Sequence, residues 1–228
     1  MAKKQVSKDQ TTEVLENVEQ SLTKAELFFE ENRNPLLIAA GVILGIVLAY
    51  YGYRKFYADP LEEEAQKEIF MAQKFFEEDS LKLALNGKDN YLGFLDIAEE
   101  YSMTKAGNMA NYYAGVCYLN LGEFENAIEY LDKFSSDDQI LSVVSKGAIG
   151  DAFLELDQAD EALEYYTKAA NTNDNEFVVP IYLMKAAQTA ELMNDYSAAL
   201  KYYNRLKKDF ATSEEARDID KNIAYAET

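Results

Sequence analysis

Apolar positions recur along this chain in three different ways. From Glu13 to Glu31 the residues Leu15, Val18, Leu22, Ala25 and Phe29 follow a 3-4-3-4 spacing, one stripe of an amphipathic helix. Two heptads are too few to specify a coiled coil, and a helix lying on a membrane surface or against a partner fits the stripe equally. From Asn34 to Tyr53 the stripe gives way to a continuous run, NPLLIAAGVILGIVLAYYGY, twenty residues without a charge. As a helix this run is about 30 Å long, the thickness of a bilayer's hydrocarbon core. Arg33 borders it on one side, Arg54 and Lys55 on the other, and Tyr50, Tyr51, Tyr53 and Tyr57 crowd the second border, where an amphipathic ring is favourable. The run predicts a membrane-spanning anchor. A buried core helix would need a shell of protein that its acidic neighbours do not offer. A cleaved leader would need a shorter run and a small-x-small site after it.

Beyond the run the pattern returns to helical stripes. Asp59-Pro60 predicts an interruption and a new helix, with Asp59 as N-cap, Pro60 in the first turn and Glu62-Glu63-Glu64 near the positive end of the dipole. That helix carries Ala65, Ile69, Ala72 and Phe76 on one face and is expected to stop by Asn86-Gly87. A further helix is expected from about Asn90 to Tyr101, using Leu92, Leu95, Ile97 and Ala98. No stretch alternates with period two over a useful length, so the fold class is all-α.

From Asn108 the chain repeats itself. AGVCYLNLGEFENAIEYLDKF, IGDAFLELDQADEALEYYTKA and AAQTAELMNDYSAALKYYNRL align with Ala127, Ala162 and Ala199 at one position, at intervals of 35 and 37 residues. Four residues further on stand Leu131, Tyr166 and Tyr203. A period of this size belongs to a helix–turn–helix unit of a solenoid. Gly115, Gly150 and Ala187 would let the helices of a unit approach, as would the three alanines. Tyr118, Phe153, Tyr166 and Tyr203 would fill the space toward the next unit.

Gly115, Tyr118, Gly122, Phe124, Ala127 and Ile128 resemble the tetratricopeptide repeat (TPR) pattern, and the resemblance recurs in phase over about residues 108–211. The second unit departs with Asp157 and Ala159 at its turn, the third with Asn194 and Tyr196. The family's tryptophan is replaced by Asn111, Lys146 and Leu183, and its closing proline is missing. Residues 60–101 resemble a degenerate first unit, and Thr212-Ser213-Glu214-Glu215 has a capping-box pattern that would open a final capping helix carrying Ala216, Ile219 and Ile223. The expected organisation is an N-terminal tail (1–33), a transmembrane helix (34–53), a linker helix with a degenerate repeat (54–107), three TPR-like repeats (108–211) and a capping helix (212–228).

Composition narrows the chemistry. Lys and Arg number 22 and Asp and Glu 41, a net charge of −19, and residues 56–228 alone hold 34 acidic against 15 basic side chains. Such a surface repels phosphate backbones, which argues against nucleic acid as a partner. There is no histidine, so the usual Ser/His and Cys/His arrangements and histidine metal sites are excluded. No phosphate-cradling glycine loop occurs. The only cysteine, Cys117, reads as a half-buried structural thiol, and one cysteine leaves the redox compartment undetermined. No cofactor, metal, catalytic group or small-molecule substrate is expected, which leaves protein binding.

The TPR resemblance implies that the first helices of the units line a concave groove. The corresponding positions are Met109, Tyr112, Tyr113, Val116 and Leu119, then Gly147, Asp151 and Leu154, then Met184, Lys185 and Gln188. The alternative is that Tyr112 and Tyr113 pack against the preceding helices. In the anchor, Gly41, Gly45 and Ala49 lie four apart and form a small-residue face that another helix could approach.

Phe28-Phe29-Glu30-Glu31-Asn32, then an anchor with Gly41-Val42-Ile43-Leu44-Gly45, then an α-helical repeat domain resembles the layout of the YfgM-like bacterial proteins. That resemblance implies an accessory factor of the Sec translocon at the inner membrane. Its N-terminus would be cytoplasmic and its repeat domain periplasmic, and its partners would be translocon subunits, a periplasmic chaperone and emerging polypeptides. Charge does not orient the span, because basic residues near its two ends nearly balance. The competing expectation is an envelope-structural adaptor in an assembly or cell-wall complex.

Overall fold

The computed structural model describes Thr23 and residues 26–228. Leu15, Val18, Leu22 and Ala25, which define the N-terminal stripe, lie outside these residues. The chain divides into two compact units, the first ending at Asp59 and the second spanning Pro60–Thr228.

In the first unit α1 (Arg33–Tyr53) buries none of its residues. Pro35 sits in its opening turn, where a missing N–H costs nothing. The helix is long and apolar enough to cross a membrane. A π-helical turn, Arg54–Ala58, follows. Asp59 does not cap a new helix there. It is helical itself (φ −67°, ψ −45°), and its N–H donates to the carbonyl of Arg54, five residues back. The physical reason lies in Pro60. In a regular α-helix its ring would strike the carbonyl four residues earlier, and a widened turn moves that carbonyl aside.

The second unit opens with α2 (Asp59–Glu77), α3 (Leu81–Asn86) and α4 (Phe94–Glu100). The single helix expected up to Asn86-Gly87 is therefore two, parted at Asp79 (φ 56°). Gly87 does close α3. The helix expected from Asn90 starts at Phe94, because Lys88 and Tyr91 pair in an isolated bridge first. These helices enclose Ala65, Ile69, Ala72, Leu85, Phe94 and Ile97, with Ala110, Ala114 and Cys117 of the next helix completing that core.

Three helical hairpins follow: α5 (Lys105–Leu121) with α6 (Phe124–Lys133), α7 (Leu141–Glu155) with α8 (Ala159–Ala170), and α9 (Val179–Leu192) with α10 (Tyr196–Asp209). Ala127, Ala162, Ala187 and Ala199 are fully buried. A Cβ on Gly115 would lie 2.5 Å from Leu131 Cγ, and one on Gly150 would lie 2.7 Å from the Tyr166 ring. Close helix approach therefore rests on the residues aligned for it.

The turns inside the hairpins share one geometry despite their different residues. Gly122, Asp157 and Asn194 all take positive φ, of 77°, 59° and 61°. The next N–H closes back five residues in each: Glu123 to Tyr118, Gln158 to Phe153, Asp195 to Ala190, at 2.8–2.9 Å. Asp and Asn are the residues that best tolerate the left-handed region after glycine, so the sequence departures conserve this helix-ending turn. Ser80 to Phe75 behind Asp79 repeats it at 2.8 Å, which gives α2 and α3 the same hairpin turn.

The final helix, α11, covers only Ile219–Ala226. The expected Thr212–Glu215 capping box does not open a helix: Ser213 Oγ accepts from the Ala216 N–H at 3.3 Å, and a run of tight i→i+3 turns intervenes before α11. Those turns keep Ala216 and Ile219, both buried, on one side against the end of the solenoid.

Candidate partner-binding groove

The first helices of successive hairpins meet through a ring laid on a glycine. Tyr182 of α9 lies over Gly147 of α7, with its Cε1 1.8 Å from where a Cβ on that glycine would stand. The Tyr182 ring also stacks on Tyr166 of α8, at 6.3 Å between centroids and 24° between planes. Gly147 is thus covered by a tyrosine and does not line an open groove.

One turn further along, Asp151 of α7 gathers two partners. Lys185 Nζ donates to Oδ1 at 2.6 Å and to Oδ2 at 2.8 Å, and the Tyr166 hydroxyl donates to Oδ1 at 2.6 Å. The Lys185 ammonium stands 5.7 Å and 5.6 Å from the Tyr166 and Tyr182 ring centres, within reach of a cation–π attraction. Burial and the Asp151 hydrogen bond push the Tyr166 hydroxyl's pKa up, and burial does the same for Tyr182. Both stay neutral near pH 7, so Tyr166 remains a donor to the carboxylate. The ion pair is half-exposed at the wall of a 390 Å³ cleft, whose other lining residues are Leu154, Gln188, Thr189 and Leu192.

Four of the residues singled out from the sequence therefore come together here: Asp151, Leu154, Lys185 and Gln188. The others stand elsewhere. Tyr113 stacks on Phe94 (5.0 Å, 9°) and meets Phe76 edge-on at 5.2 Å, and Met109 packs into the same core. Tyr112 lies against Phe134 at 5.1 Å. With Val116 and Leu119 it covers the cluster of Leu131, Ala148 and Ile149. Met184 packs on the C-terminal core, where Asn222 Nδ2 of α11 approaches its sulfur at 3.9 Å. In the anchor Gly41, Gly45 and Ala49 are exposed, and a Cβ on either glycine would meet nothing within 4 Å.

Tyr166, Thr189 and Leu192 are the lining residues that the sequence reading did not select. Leu192 was legible, because 185, 188 and 192 follow one helical face. Tyr166 was not, since it belongs to a second helix and joins the site through the bond of its hydroxyl to Asp151, 15 residues earlier. Cys117 is fully buried, and desolvation pushes its thiol up to about 12, so it is inert as a nucleophile at neutral pH. Among the described residues no group of three or more His, Cys, Asp or Glu is placed to hold a metal ion.

Comparison with known proteins agrees with this geometry. Tetratricopeptide repeat family models match residues 109–138, 145–176 and 182–213. No curated protein matches the chain significantly in sequence. A crystal structure of nearly identical TPR-like repeats from Podosopora anserina, described as kinesin light chain, is similar in fold. The TM-score is 0.52 at 12% identity, over 72% of this chain and 85% of that one. Residues 109–138, 145–176 and 182–213 thus match tetratricopeptide repeats and lie within an all-helical solenoid.

Proposed function

We propose that the protein is a non-catalytic, single-pass membrane scaffold that presents its TPR groove to protein partners as an accessory, chaperone-assisting factor of the Sec translocon. The observation that carries the binding part is the cleft between α7 and α9. There the Asp151–Lys185 pair sits beside exposed Leu192 and half-buried Leu154, offering polar anchors and apolar surface together. The anchoring part is supported by α1, with the length and polarity of a membrane span and no protein packed on it. The translocon assignment, the periplasmic side of the repeats and the cytoplasmic N-terminus follow from the resemblance to the YfgM-like layout.

Two measurements test this reading. A reporter active only in the periplasm, fused after Thr228, is expected to be active. Activity of a cytoplasm-only reporter at that point would reverse the orientation and remove the translocon role. In mild detergent the protein is expected to bring down a translocon subunit or a periplasmic chaperone. Recovery of an assembly or cell-wall complex in their place would assign it as an envelope adaptor.

A further inference from the structure

The loops that join one repeat to the next carry apolar side chains that the fold does not use. Phe177 is 80% exposed, Ile140 47% and Met103 73%. They recur at intervals of 37 residues, immediately before the first helix of each hairpin. Because the units are hairpins, these loops share one edge of the solenoid, and the turns at Gly122, Asp157 and Asn194 occupy the other.

Two of these tips are held in place by the same device. Asp138 Oδ1 accepts from the N–H groups of Ile140 (2.8 Å) and Leu141 (2.9 Å). Thirty-seven residues on, Asn175 Oδ1 accepts from Phe177 (2.9 Å) and Val178 (3.1 Å). The loop between α6 and α7 is also tied to its neighbours on both sides, to α5 and to the loop before α9. Asn173 Nδ2 donates to the Gln139 carbonyl at 3.0 Å, and Asn108 exchanges two hydrogen bonds with Ser135, at 2.8 and 3.1 Å. A large ring fixed in water gains the fold nothing, but it lowers the ordering cost of docking a partner.

Charge at the edge identifies that partner's chemistry. Asp137, Asp138, Asp174 and Glu176 flank the tips, and among the described residues none of them forms an ion pair. The lysines that close the second helices at the same edge are neutralised: Lys133 by Glu129, Lys168 by Glu164 and Lys207 by Asp220. Lys105 and Lys146 also stand near this edge without an ion pair among the described residues, but the four carboxylates outnumber them, so the uncompensated charge is net negative. We infer that this edge docks a basic amphipathic polypeptide segment, with its apolar face on Ile140 and Phe177 and its Lys or Arg side chains on the four carboxylates. A phosphate-bearing lipid surface is repelled by the same carboxylates, and a second copy carrying −19 is repelled as a whole.

The site is separate from the groove, so either assignment can fail without the other. The test uses the full chain in zwitterionic nanodiscs and a fluorescent Leu/Lys amphipathic peptide, with empty nanodiscs subtracted. The double variant Ile140→Ser/Phe177→Ser keeps both Asx caps and is expected to retain its circular dichroism while binding the peptide roughly tenfold more weakly. Asp137→Asn with Glu176→Gln is expected to flatten the salt dependence of binding. Unchanged affinity in the Ser variant, or equal binding of a Leu/Glu peptide, overturns the proposal. Loss of binding only in Leu154→Ser/Leu192→Ser also overturns it, by placing the peptide in the groove. Ser-sensitive self-association in sedimentation, or Ser-sensitive adhesion to lipid vesicles, would hand the edge to a second copy or to the bilayer and overturn it too.

Discussion

Gly147 and Tyr182 are complementary surfaces: the tyrosine ring occupies the space that any side chain at 147 would need. Gly147→Ala gains helix propensity of about 1 kcal/mol but forces a buried ring to move, and overpacking costs about 1–3 kcal/mol. The melting temperature is expected to fall. Adding Tyr182→Leu should recover part of it, because the shorter side chain vacates the site. Gly41→Ala, with nothing near its Cβ, should leave thermal unfolding of the repeats unchanged.

Ala162 is fully buried where α8 crosses α7. Ala162→Leu adds volume at a contact with no slack and is expected to cost about 1–3 kcal/mol in chemical denaturation. An unchanged midpoint would contradict the pairing of α7 with α8 through this residue.

The left-handed turns make a contrast between substitutions at one site. Asp157→Ala places an ordinary side chain at φ 59° and is expected to lose about 1 kcal/mol. Asp157→Gly removes the steric conflict and should match or exceed the parent stability. The difference between the two midpoints, measured in urea, is the readout.

Tyr113 and Leu192 separate folding from binding. Tyr113 is half-buried and wedged between Phe94 and Phe76, so Tyr113→Ser is expected to cost about 2 kcal/mol, less than truncation of a fully buried aromatic. Leu192 is exposed, and Leu192→Ser should leave circular dichroism unaltered while weakening capture of the groove partner. Equal losses of helix in both variants would show Leu192 to be structural.

Alkaline pH should destabilise the repeat unit. Burial raises the Cys117 thiol to about 12 and raises the hydroxyls of Tyr166, Tyr182 and Tyr203, whereas the unfolded chain ionises at ordinary values. Above pH 9 the unfolded state therefore holds fewer protons than the native state, and stability falls as pH rises. Below the unfolded values this contribution is fully present. Thermal melts at pH 7, 9 and 10.5 are expected to show a progressive decline. Cys117→Ala should reduce the part of it that begins near pH 9.

Much of this architecture is legible in the residues alone. Twenty uncharged residues between Arg33 and Arg54 are read as a helix because, in the water-free core of a bilayer, a single segment satisfies its own backbone groups only that way. The 35- and 37-residue intervals place Ala127, Ala162 and Ala199 where helices must touch, since only small residues permit that distance. Local chemistry also marks Gly87 as a helix end. Other features depend on contacts between segments distant in sequence. Periodicity assigns Tyr112, Tyr113 and Gly147 to an inward face but does not reveal what covers that face. Phe94, Phe134 and Tyr182 fill it, because aromatic area buries wherever a neighbour allows. The Asp151 cluster likewise joins residues 34 and 15 positions away, through a carboxylate that pairs with whichever donors the packed helices bring within reach. Sequence determines which faces are apolar and where helices stop. Only tertiary structure decides which of those faces remain open, because openness is a property of the neighbours rather than of the residue.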